Sequence, residues 1–154
     1  MLVNIIQFLN LLAYGFVVSQ PMFYLLAMSN AQKDMRAASY IELRNLLHKN
    51  LEFSLRIVYY TALLTNISWF FCTITLHSYL LLITSSIALV AFVIDMVFLI
   101  IGDIPINKII KTWTPEKYPA DWETYRKNWF IYYHRRQKAD FIGFVSLLLG
   151  IVFK

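Results

Sequence analysis

Charge is scarce in this chain. Only 15% of its 154 residues are Asp, Glu, Lys or Arg against 59% hydrophobic ones, and the mean hydropathy is +0.57. A water-soluble domain of this size could hardly place such a composition on its surface, so the chain reads as an integral membrane protein. Cysteine is almost missing: Cys72 stands alone inside an apolar stretch, which excludes an internal disulfide and a Cys-rich metal site. A Ser/His/Asp set, a Gly-rich phosphate loop, paired catalytic carboxylates and a convincing metal cluster are all lacking, which argues against ordinary hydrolases and transferases. No internal repeat or low-complexity linker divides the chain, so residues 1–154 read as one integral membrane domain.

The little charge there is falls in two places. Thirteen of the 14 Lys and Arg residues lie within 33–56 and 108–138, and the net charge is +5. Four apolar stretches remain, at approximately 2–28, 57–76, 79–101 and 135–153, against the about 20 apolar residues that a spanning helix needs. The second and third are separated only by His77 and Ser78 and so form a tight helical hairpin. The apolar part of the last, 141–153, is short, and the aromatic run 129–133 extends it into the interfacial belt. The fold expected is all-α, a membrane four-helix bundle with helices extending into the cytoplasm.

Lys and Arg bias puts both charged connections, 29–56 and 102–134, on the cytoplasmic side, with both termini and the His77 turn outside. The first span opens without a basic start or a small-residue cleavage pattern and reads as a retained helix. Attraction between basic loops and anionic lipid, about 1 kcal/mol per residue, accounts for the positive charge, so nucleic acid is not an expected partner. The bilayer is.

Both connections carry helical signals. Residues 31–52 hold neither Gly nor Pro, and Tyr40, Leu43, Leu47 and Leu51 recur at helical spacing, so the second helix starts before the membrane. Arg44, His48 and Glu52 share one face of it, either as a solvated ion-pair stripe or as a pocket wall; His48 with Glu52 is too little for a metal site. In the other connection Pro105 is expected to break the third helix between Asp103 and Asn107, and Asp121 can cap a new one. That helix brings Trp122, Arg126, Trp129, Tyr133 and Arg136 close to one face. Such a face either anchors at headgroups or lines a site for an aromatic or anionic ligand.

Buried polar groups complete the pattern. Asp95 sits in the third span, where a lone charge costs about 2.5–3.5 kcal/mol even on the lenient scale, and hairpin register offers Arg56 as its partner. Gln7, Asn10 and Tyr14 form a polar face on the first helix, suited to bonds between helices. Gln20, beside Pro21, falls at the depth of Asp95 and Arg56; with Trp129 these define a polar pocket at the cytoplasmic boundary, the expected place for a site.

Ile104, Pro105, Ile106 and Asn107 after the third span, with Trp122, Arg126, Trp129, His134 and Arg136 leading into the fourth, resemble the anthrone-oxygenase-like family of small membrane proteins. The match covers the whole topology. The resemblance implies oxidation of an apolar aromatic substrate without a cofactor. A His, His134 or His48, would remove an acidic proton beside a carbonyl, and Arg126 and Asn107 would hold the enolate. Trp129 would stack on the substrate, and the carbanion would react with dioxygen. Trp122, Tyr133, Arg136, Gln20 and Arg44 would complete the binding surface. A second reading makes the chain a non-catalytic membrane subunit or a binder of lipid, quinone or haem. Transport is a third, and four spans without repeats would need homo-oligomerisation to form a pathway.

Overall fold

A computed structural model describes residues 1–154, and they form a helical bundle without sheet. Helix α1 covers Leu2–Phe23 and passes through a π-helical turn, Tyr24–Met28, into the short α2, Ser29–Asp34. After a break at Met35 and Arg36, α3 runs 39 residues, Ala37–Thr75. At 1.5 Å per residue it is about 58 Å long, so it outruns a bilayer core of about 30 Å and its first half projects beyond it. The expected early start of this helix is thus observed.

The hairpin turns at His77, whose φ of 51° is left-handed, and Ser78 accepts a bond from the Leu81 amide at 3.5 Å to open α4, Tyr79–Phe98. An L residue in that conformation is strained by about 1 kcal/mol. His77→Gly is therefore expected to raise stability by about that amount, measured by thermal unfolding in detergent.

The third helix does not end at Pro105. A second π turn, Leu99–Asp103, lets the Ile104 amide bond to the Leu99 carbonyl, and α5, Ile104–Ile110, continues with Pro105 at its start. The wide turn moves the carbonyl that the proline ring would have struck, and the first turn of a helix tolerates the missing N–H. After a loop, α6 runs Trp122–Val152. Asp121 precedes it as expected, although its side chain makes no capping bond.

Three helical stretches, Leu2–Asp34, Ala37–Thr75 and Tyr79–Ile110, are long and apolar enough to cross a membrane. Their outward faces keep large apolar side chains exposed, among them Phe8, Leu64 and Val90. A bundle so dressed is at home in lipid. Gln7, Asn10 and Tyr14 are buried on the inner face of α1, but of the bonds between helices expected there only that from the Tyr14 hydroxyl to the Ala88 carbonyl, at 3.5 Å, is observed, and the Asn10 amide has no partner.

Packing pairs α6 with α4 and α1 with α3. Two apolar cores result. One, at membrane depth, gathers Tyr14, Val17, Ala62, Trp69, Ala88, Phe92 and Leu147. The other, at the charged end, gathers Tyr24, Tyr40, Ile106, Trp113, Trp129 and Tyr133. Close approach depends on Gly143, where a Cβ would collide with the Tyr14 hydroxyl and press on Ala91 at 3.1 Å.

Candidate functional site

Between the two cores lies a buried guanidinium. Arg136 donates from Nε to Asp95 at 2.7 Å, from Nη1 to Asp103 at 2.5 Å and from Nη2 to the Tyr59 hydroxyl at 2.5 Å. The four residues come from α6, α4, the second π turn and α3, and all are buried. Asp140, one helical turn after Arg136, is buried beside them with one oxygen unpartnered. The pairing of Asp95 with Arg56 is corrected here. Arg56 is 60% exposed and bonds Glu52 at 3.0 Å, because α3 turns Tyr59 inward instead. The side chain that meets Asp95 comes from the last helix.

Six of the other expected site residues are bound up in holding the charged end together. Arg44 donates to Asn107 and lies 4.1 Å from the Trp129 ring centre. Arg126 donates to the carbonyls of Met35 at 2.9 Å and Gln32 at 3.3 Å, and stacks over Trp122 at 4.4 Å. That closes the break between α2 and α3, whose last carbonyls otherwise lack donors. Trp129 and Tyr133 stack at 4.6 Å, with Tyr24 against the Tyr133 ring and hydrogen-bonded to Gln32. The expected shared face of Trp122, Arg126, Trp129, Tyr133 and Arg136 is observed, and it points into the protein.

The histidines stand elsewhere. His48 pairs with Glu52 at 2.9 Å, which with Arg56 makes the solvated stripe the spacing allowed. His134 stacks on Phe130, and its Nδ1 lies 2.7 Å from Gln137 Oε1. Gln137 gives its Nε2 to the Pro21 carbonyl at 3.2 Å, so its oxygen faces the imidazole. Nδ1 must then carry the hydrogen, leaving Nε2 as the basic nitrogen. His134, Asn107 and Arg126 thus occupy three separate contact sets. Gln20 is half-buried and enters none of them, and Arg56, held by Glu52, does not converge with Asp95.

Open space lies on the other side of α6. Between the second π turn, α5 and α6 is a cavity of about 370 Å³ whose lining includes Gly102, Pro105, Asn128, Tyr132 and Arg135. Between α4 and α6 runs a groove of about 510 Å³, walled by Val90, Ile94, Phe98 and Ile142, with Arg135 and Lys138 also lining it. Arg135 belongs to both. A Cβ on Gly102 would strike the Tyr132 ring, so only glycine lets that wall close up as it does.

Fold and site together define an all-α bundle of membrane type with a buried ion centre and, beside it, a cavity and a groove that both reach Arg135. No family model, curated protein or solved structure matches the chain.

Sequence reasoning missed Asp103, Asp140, Tyr59, Gln137 and Arg135. Asp140 follows Arg136 by four residues, a spacing that puts both on one face of the helix. Asp103 had been assigned to a helix break, which hid its inward direction.

Proposed function

We propose that the chain is a membrane-embedded binding protein that takes an amphiphilic small molecule from the bilayer into the cleft between α4 and α6. What supports this reading is the sharing of Arg135 by a polar-edged cavity and an apolar groove, so that one ligand can place its head in the first and its tail in the second. Neither chamber is lined by a histidine. The membrane setting proposed is the four-span one, with α6 from about residue 135 as the fourth span, the charged connections cytoplasmic and both termini outside.

Mass spectrometry of gently solubilised protein tests it. A small amphiphile should copurify and be lost when Val90→Trp fills the groove. Protein that carries none, and takes up none from mixed lipid, would overturn the reading.

The oxygenase reading keeps one favourable observation, the fixed tautomer of His134 beside Phe130. In that scheme Nε2 removes the acidic proton and dioxygen takes the carbanion, one oxygen entering the new carbonyl and the other leaving as water. Oxygen uptake with an anthrone should then fall at least a hundredfold in His134→Ala, within the range general bases contribute. Equal uptake with and without the protein would dismiss it.

A further inference from the structure

We infer that the cleft seats one acyl chain of an anionic phospholipid, with the phosphate held by Arg135 and Lys138; the inference rests on the amphiphile-binding reading of this same cleft.

Charge carries the argument. Every ion pair in the bundle uses His48, Arg56, Arg126 or Arg136 as its cation. Arg135 and Lys138 have no carboxylate partner, and no Asp or Glu lines either chamber. The contrast with the next residue is sharp: Arg136 is buried between Asp95 and Asp103, whereas Arg135, about 100° round the helix, is exposed with its donors free. Three residues apart, Arg135 and Lys138 stand on one face of α6. Arg135 is steadied by ring contacts, with its guanidinium carbon 5.5 Å from the Phe98 centre and 5.8 Å from that of Tyr132. A guanidinium so placed offers paired donors to phosphate oxygens, and Asn128 adds an amide on the cavity wall.

The shape agrees with the charge. The groove extends from Phe98 back to Ser86, about 18 Å along α4 at 1.5 Å per residue, which suits a long acyl chain. It runs from the basic rim toward the His77 hairpin, the direction an acyl chain takes from a headgroup at the charged boundary. Small residues, Ala91 and Ala139, make the depression that Ile87, Val90, Ile94 and Ile142 wall. A quinone has no charge to answer two free cations. A second copy of the chain would have to bring carboxylates to the same depth. Basic pockets between membrane helices are known places for acidic headgroups.

The test uses full-length protein in nanodiscs made with equal phosphatidylglycerol and phosphatidylcholine, transferred to detergent and weighed by native mass spectrometry. Retained lipid should be phosphatidylglycerol by at least tenfold over phosphatidylcholine. That preference should vanish in Arg135→Gln with Lys138→Gln and persist in Arg56→Gln, which removes an exposed cation outside the cleft. Both lipids retained equally by the unaltered protein, and displaced together by Val90→Trp, would overturn the anionic specificity while leaving an amphiphile site standing. Neither lipid retained would overturn both. A mass of two chains without lipid would assign the cleft to a second copy, overturning the inference.

Discussion

Arg136→Ala is expected to leave little folded protein. The substitution removes the only guanidinium that Asp95 and Asp103 share, stranding two carboxylates among apolar walls, with Asp140 and the Tyr59 hydroxyl beside them. Breaking a buried pair by removing one partner costs about 3–5 kcal/mol, a large share of the about 5–15 kcal/mol that holds a domain together. Arg136→Lys should rescue little, because an ammonium cannot reproduce the fork that reaches Asp95, Asp103 and Tyr59 at once. Asp95→Asn with Asp103→Asn in the Arg136→Ala chain should recover part of the loss, since the stranded charges go with their partner. The readouts are the monodisperse peak in detergent and the thermal midpoint. Arg56→Ala serves as contrast; at an exposed position paired only with Glu52, it should change stability by less than about 0.5 kcal/mol. Equal behaviour of the two Arg variants would refute the assignment of Arg136 as the central ion.

Gly143→Val should be nearly as damaging, for a steric reason. A Cβ at Gly143 would overlap the Tyr14 hydroxyl, and Tyr14 is held in place by Phe92 at 5.6 Å and Phe144 at 6.1 Å between ring centres. The ring cannot swing aside without opening the contact between α1 and α6. Overpacking of a tight core costs about 1–3 kcal/mol, with valine at the upper end. Removing the obstruction tests the cause: Tyr14→Phe drops the hydroxyl and should recover part of the stability of Gly143→Val, whereas additivity of the two changes would place the damage elsewhere. Gly15, where a Cβ meets only Phe144 ring atoms at 3.9 Å, should accept Ala with little change.

The bundle was readable in the sequence because its signals are local. Apolar length, the gap of two residues at His77 and Ser78, and the helical spacing through residues 37–55 depend on nothing far away. That Trp129, Tyr133 and Arg136 share one face follows from the helical period; that the face points inward is decided by packing. What the sequence hid was register between helices. Tyr59 and Arg56 lie less than one turn apart, and only packing decides which of them joins the buried cluster of Arg136 and Asp95. Pro105 normally ends a helix, and no local rule announces the π turn that accommodates it and lets the third helix continue. The site failed for a related reason. Arg44, Arg126, Asn107 and Trp129 carry groups typical of ligand recognition, yet each is occupied by a neighbour inside the protein, and occupancy is a property of the fold. Arg135 stands outside the shared face, about 100° round the helix from Arg136, and the groove that α4 leaves beside it is a product of packing.

A phospholipid with a photoreactive group near the end of its acyl chain tests most directly whether the cleft holds a bilayer amphiphile. After irradiation in a membrane and peptide mapping, adducts should concentrate on the groove positions Val90, Ile94 and Ile142, and should fall away in Val90→Trp. Labelling of Phe8 on α1 and Leu64 on α3, both exposed to lipid, as heavily as the groove would contradict a cleft-bound amphiphile.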